Sequence, residues 1–78
     1  MKVYIKLLNV YSKYLPSGAQ GSTYGLDVPT DIQIKDLLAQ VPVPVEDQVI
    51  LINGRSPLER QVLQDGDIVT VFPAMAGG

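Results

Sequence analysis

The chain contains no cysteine and no histidine, and a single phenylalanine. Without cysteine there is no disulfide, no thiolate nucleophile and no zinc site built from sulfur. Without histidine the commonest general base and the commonest metal ligand are both missing. Positive charge is sparse: Lys+Arg number 6 against Asp+Glu 8, a net charge of −2, with no basic run. A nucleic-acid surface needs a positive stripe, so nucleic acid is not expected as a partner. Apolar runs are short as well, far below the roughly 18–20 consecutive residues of a membrane helix. The opening Met1-Lys2-Val3-Tyr4-Ile5-Lys6 alternates charge with apolar side chains, unlike the apolar stretch of a signal peptide. These absences describe a cytoplasmic protein, monomeric or partnered, with no bound metal or cofactor and no membrane contact. A self-contained enzyme would have to work with scattered carboxylates that show no obvious pairing.

What remains is a short, apolar chain. Its 78 residues make one domain with no room for a second core. A chain of this size buries only about 60% of its unfolded surface, so its stability depends on regular packing. Yet 46% of the residues are hydrophobic and the mean hydropathy is +0.17. Such a composition implies a dense core, with some apolar surface left for a partner.

Patterning supplies the elements. Over residues 2–8, Val3, Ile5 and Leu7 alternate with Lys2, Tyr4 and Lys6, the period of a strand with one buried face. Tyr4 is then exposed or at an interface. Asn9 to Ser22, with Pro16, Gly18 and Gly21, reads as a loop, within which Tyr11, Tyr14 and Leu15 are spaced for one helical turn folded onto the sheet. Residues 23–28 alternate again through Tyr24, Leu26 and Val28 until Pro29, which cannot donate a ladder hydrogen bond. Ile34, Leu37, Leu38 and Val41 then fall at helical spacing, with Thr30 and Asp31 available to cap the start and Pro42 and Pro44 to prevent continuation. Val49-Ile50-Leu51-Ile52 is a continuous apolar run, expected to be a central strand. Asn53-Gly54 is a strong turn signal. Arg55 to Gln64 reads as a short edge strand plus a loop or helical turn, Asp65-Gly66-Asp67 as a second turn, and Ile68 to Phe72 as the last strand, ended by Pro73.

One helix on one face of a mixed sheet of four or five strands, in the order β-β-α-β-(β)-β, is an α+β β-grasp, or ubiquitin-like, roll. Its first and last strands lie side by side at the centre. Residues 1–73 then form the domain and 74–78 a flexible C-terminal tail that leaves from a central strand. That tail ends in Gly77-Gly78. Two glycines put no side chain near the final carboxylate and adopt backbone angles closed to other residues. At a glycine usage of about 7%, such a pair arises by chance in about 0.5% of chains, too often to carry a function unaided.

The order of short motifs adds what each lacks alone. Lys2-Val3-Tyr4-Ile5-Lys6-Leu7, Lys13-Tyr14-Leu15-Pro16, Asp36-Leu37-Leu38, Ile52-Asn53-Gly54-Arg55, Leu63-Gln64-Asp65-Gly66-Asp67 and Phe72-Pro73-Ala74-Met75-Ala76-Gly77-Gly78 follow one another. Over essentially its whole length the chain resembles the sulfur-carrier proteins of the MoaD/ThiS type. Its Phe72-Pro73 pair and longer first loop are more similar to molybdopterin synthase small subunits than to thiamine-pathway carriers, although those subunits often have a second proline where Ala74 stands.

The resemblance implies a protein cosubstrate, not an enzyme. An E1-like adenylyltransferase would use ATP to convert the Gly78 carboxylate into an acyl-adenylate. A sulfur donor such as a cysteine desulfurase or rhodanese would then displace AMP and leave a thiocarboxylate. In the molybdopterin branch the tail Pro73, Ala74, Met75, Ala76 and Gly77 would enter the active site of a large synthase subunit, in a heterotetramer of two small and two large subunits. The sulfur would pass to the dithiolene of the pterin. A thiamine-pathway carrier and a ubiquitin-like modifier joined through Gly78 to target lysines are the alternatives, since both begin with the same adenylation. Phe72 is then either core or the base of a partner interface, and Met75 lines a partner channel. Arg55 is either a contact to an acidic partner or a solvated loop charge. Asp65 and Asp67 are turn formers.

Overall fold

In β1 (Lys2–Leu7) the alternation of the sequence becomes an alternation of burial: Val3, Ile5 and Leu7 are fully buried while Lys2, Tyr4 and Lys6 face outward. The computed structural model describes residues 1–41, 43, 48–58 and 60–74. A 3₁₀ segment, Asn9–Tyr14, follows β1 and buries Tyr11, the helical turn anticipated inside the first loop. The chain returns as β2 (Thr23–Asp27), antiparallel to β1, with Val3 opposite Leu26 and Ile5 opposite Tyr24. After α1 (Ile34–Leu38) come β3 (Gln48–Ile52) and β4 (Ile68–Pro73). The strand order is β2-β1-β4-β3, with β1 and β4 parallel and β3 and β4 antiparallel. First and last strands therefore share the centre, as a β-grasp requires.

The core lies between the inner face of this sheet and α1. Ile5, Leu7, Val69 and Val71 from the central strands meet Leu37 and Leu38 of the helix, with Ile32, Val41, Val43 and Leu63 closing the margins. The helix has five residues, too few to be stable by itself in water, so burial of Leu37 and Leu38 holds it.

Three expectations are corrected. The residue at the N-cap position of α1 is Gln33, with no side-chain cap bond, instead of Thr30 or Asp31. Those two occupy a turn in which Asp31 has φ 64°. Ile32 and Gln33 are then engaged with the distant segment at Val62 and Leu63 before the helix begins: Gln33 bridges Val62, and the Leu63 N–H donates to the Ile32 carbonyl at 2.9 Å. The helix ends at Leu38, and Pro42 and Pro44 lie outside the described residues. Second, β3 is an end strand of the sheet and not a central one. Its run of apolar residues serves two different faces, Ile50 and Ile52 facing the core and Val49 and Leu51 the opposite side. Third, among the described residues the 55–64 segment forms no strand, only isolated bridges at Arg55 and Val62. The Asn53-Gly54 turn is as anticipated: φ values of 51° and 83° and a reciprocal pair of bonds between Ile52 and Arg55, at 2.8 and 3.0 Å, define a type I′ hairpin turn.

Candidate functional site: the uncovered sheet face and the exit of the last strand

With α1 on the inner face, the opposite face of the sheet carries no helix among the described residues. The registers show what lies there. Parallel pairing sets Tyr4 beside Ile68 and Lys6 beside Thr70. Antiparallel pairing sets Val49 opposite Phe72 and Leu51 opposite Thr70. Tyr4, Ile68, Phe72, Val49 and Leu51 thus form an apolar band across three strands, flanked by Lys2 and Lys6. Tyr4 and Ile68 are 36% and 41% exposed, and Val49, Leu51 and Phe72 are half-buried. These side chains make this face the candidate interaction surface among the described residues.

Glycine shapes one end of the band. Gly25 stands opposite Tyr4 in the β1–β2 ladder, and a Cβ placed on it would lie 3.2 Å from the Tyr4 ring. The ring rests against bare glycine backbone, which holds an exposed aromatic flat on the sheet.

The same face leads to the tail. β4 runs through the sheet centre and its final residue, Pro73, pairs with Gln48 of β3. Pro73 and Ala74 are half-buried at the rim, so the described part of the tail is seated against the domain. Met75, Ala76, Gly77 and Gly78 lie outside the described residues. Phe72 sits on the sheet face opposite α1, one residue before Pro73 ends β4. Arg55 is exposed beyond the other end of β3, since Gln48 is level with Pro73 while Ile52 is level with Val69. Four residues of strand, roughly 13 Å, separate the two ends. Phe72 and Arg55 therefore belong to different regions of the surface.

Tyr4 and Phe72 stand out in the sequence as candidate interface residues, whereas Val49, Leu51 and Ile68 do not. The period-2 pattern Ile68-Thr70-Phe72 was the available signal, and only the strand register joins it to β3. Among the described residues no group of three or more His, Cys, Asp or Glu side chains comes together to hold a metal. Among them, too, no helix is long and apolar enough to cross a membrane.

A four-stranded β-grasp sheet with an uncovered apolar face and its central last strand running into the tail defines a ubiquitin-like protein. The chain belongs to the ThiS family, which it matches over residues 19–78, and is a ubiquitin-like sulfur carrier of the MoaD/ThiS type. Two solved structures share its fold. SAMP1 from Haloferax volcanii superposes with a TM-score of 0.74 over 100% of both chains at 20% identity. A protein designated molybdopterin converting factor, subunit 1, from Pyrococcus furiosus superposes with a TM-score of 0.72 at 22% identity, over 95% of this chain and 98% of that one.

Proposed function

We propose that this chain carries sulfur on its Gly78 carboxylate and delivers it to the dithiolene of molybdopterin, as the small subunit of the synthase. The observation that carries the reading is the family match, which runs through Gly78 on a domain whose central strand leads into that tail. A carboxylate is a poor electrophile because its leaving group would be oxide. An E1-like adenylyltransferase using ATP replaces that oxide with AMP, and a sulfur nucleophile then displaces AMP to leave a thiocarboxylate. Sulfur in this form is softer and more nucleophilic than oxygen, and it travels covalently attached instead of as free sulfide. The chain contributes no catalytic side chain. It supplies a slender terminus, a docking face beside it, and Pro73, which limits the motion of the tail base and so lowers the ordering cost on docking.

The molybdopterin branch is supported by the Phe72-Pro73 pair and by the fold shared with the Pyrococcus protein, whose designation as subunit 1 implies a further subunit. The partner here would be a large subunit that accepts the tail. The test is the intact mass of the chain after incubation with ATP, its activating enzyme and a sulfur donor, followed by addition of the pterin precursor and large subunit. A gain equal to exchanging one oxygen for sulfur, reversed on transfer, is expected. Loading without transfer to the pterin would redirect the sulfur to a thiamine-type acceptor. Conjugates of higher mass on protein lysines would replace the carrier reading with a modifier.

A further inference from the structure

The turn after β3 holds a reactive dipeptide. Asn53 and Gly54 are both exposed, and a Cβ on Gly54 would meet nothing within 4 Å. Among the described residues the Gly54 N–H makes no hydrogen bond. A backbone nitrogen this bare can attack the side-chain amide of the residue before it. The new bond runs from Gly54 N to Asn53 Cγ and closes a cyclic imide. The Cγ–Nδ2 bond breaks, and the side-chain nitrogen leaves as ammonia with the Gly54 amide proton. Water then opens the ring at either carbonyl, leaving aspartate or isoaspartate at position 53. The only co-reactant is water.

The folded geometry opposes the first step in two ways. Asn53 is the first central residue of a type I′ turn, with φ 51° and a ψ of about +30° in such turns. At that ψ the Gly54 nitrogen points away from the Asn53 Cβ, whereas ring closure needs the two nearly eclipsed. The amide itself is also held at both ends. Nδ2 donates to Asp67 Oδ1 at 2.9 Å, and Oδ1 accepts from the Ile68 N–H at 3.0 Å. The chain has one other asparagine, Asn9, also at positive φ. It precedes Val10, whose branched side chain shields the nitrogen that would attack.

We infer that Asn53 is a site of spontaneous deamidation, kept shut in the folded chain by its joint with Asp67 and released when the turn end of β3 and β4 opens locally. Conversion runs one way. Either product lacks Nδ2 and sets a carboxylate against Asp67 where a donor stood, so the two turns repel instead of bonding. Isoaspartate also lengthens the main chain by one carbon within the turn. A chain that has opened often therefore carries a lasting mark at this end of its sheet. The tail chemistry plays no part in this, so the site stands or falls independently of the carrier reading.

The test follows the full-length chain in mildly alkaline buffer by intact mass, which rises as NH₂ is exchanged for OH, with peptide mapping to locate the change. Asp65-Gly66 can cyclise too, but its products keep the original mass and do not register. Unfolded in guanidinium, Asn53 is expected to convert at least about tenfold faster than in the folded chain, with Asn9 lagging in both states. Asp67→Ala should speed conversion of the folded chain roughly fivefold, the gain in open population from losing one such bond. Leu26→Ala, which loosens the packing of β2 at the other side of the sheet, should leave the rate within about twofold. Asn53→Asp reproduces one product and is expected to raise the unfolding equilibrium constant roughly tenfold. Adding Asp67→Asn exchanges donor and acceptor and should recover most of that loss. Conversion as fast folded as unfolded, equal acceleration by Leu26→Ala, or no recovery in the exchanged pair would each overturn the inference.

Discussion

Asn53 Nδ2 donates a 2.9 Å hydrogen bond to Asp67 Oδ1, joining two turns that lie 14 residues apart. Each partner makes a second bond, that of Asn53 again across to the second turn and that of Asp67 within its own turn. Asn53 Oδ1 accepts from the Ile68 N–H at 3.0 Å, and Asp67 Oδ2 accepts from the Gln64 N–H at 2.8 Å. The type I′ turn after β3 is thereby fastened to the turn that launches β4, at the end of the sheet remote from the tail. Asn53 does this at φ 51°, a conformation asparagine tolerates better than most residues.

Truncating either side chain should therefore be felt beyond its own turn. Asn53→Ala loses both bonds and adds left-handed strain, for an expected loss of about 2 kcal/mol. Asn53→Gly loses the bonds without the strain and should cost about 1 kcal/mol. Asp67→Ala should cost about 1–2 kcal/mol, and the Asn53→Ala/Asp67→Ala pair should show coupling of about 0.5–1 kcal/mol. Urea titrations of the four proteins check the order. Strict additivity would mean that the inter-turn bond contributes nothing.

The second prediction concerns Tyr4 and Gly25, which meet across the β1–β2 ladder on the uncovered face. The ring shields glycine backbone, so Tyr4→Ala should cost about 1 kcal/mol, more than an exposed side chain ordinarily does. Gly25→Thr introduces a better strand former but pushes on a ring 3.2 Å from the new Cβ. Alone it should change stability by no more than about 0.5 kcal/mol, whereas in the Tyr4→Ala background it should recover most of the loss. Thermal unfolding of the four proteins reads this directly, since about 1 kcal/mol moves Tm by roughly 4–8 °C in a domain of this size. Equal effects of Gly25→Thr in both backgrounds would show that the ring and the glycine do not interact.

The legibility of this chain in its sequence follows from which signals are local. Alternation gave β1 its buried face, because burial period is a property of one strand, and the positive-φ pair Asn53-Gly54 announced its turn unaided. The position of β3 was not legible. A run apolar on both faces suits a central strand, yet here Val49 and Leu51 face the open band and Ile50 and Ile52 the core, and periodicity reports faces but not neighbours. The start of α1 is not legible for a related reason: Thr30 and Asp31 are turn formers as well as caps, and Ile32-Gln33 engage Val62-Leu63, a long-range contact that no window contains. The apolar band was half legible. Tyr4 and Phe72 stood out one by one, but Tyr4 meets Ile68 through a parallel register between strands more than sixty residues apart, and Val49 and Leu51 join through the antiparallel register of β3 and β4.

If that band docks the activating enzyme, charging it should impair loading without unfolding the domain. Ile68 is the suitable position, being 41% exposed and outside the core. Ile68→Lys should leave stability within about 0.5–1 kcal/mol of the parent, yet lower kcat/KM for adenylation roughly thirtyfold, the effect of losing about 2 kcal/mol at an interface anchor. Arg55→Ala, some 13 Å from the tail exit, should alter the same rate less than about twofold, as a solvated charge does. Pyrophosphate release measured with both variants separates the outcomes. A larger effect at Arg55 than at Ile68 would move the enzyme's footprint to the far end of the sheet.

The reach of the tail gives the sharpest test of the proposed chemistry. Deleting Gly78 leaves a carboxylate on Gly77, chemically equivalent but withdrawn by one residue, about 3.5 Å. An adenylation site holds its nucleophile to within a fraction of that distance, and a misplacement of about 1 Å already costs about 100-fold. The shortened chain should therefore gain no sulfur on the timescale in which the parent is fully loaded, at least a 100-fold loss by that estimate. Its thermal unfolding should be unchanged, because the described core ends with β4. Gly77→Val makes the complementary test by keeping the length and removing the slenderness: a narrow channel predicts loss of loading, an open site predicts little change. If both variants are loaded like the parent, the reactive carboxylate is not read through this tail. The domain would then act by its uncovered face, as a binding module of the same fold.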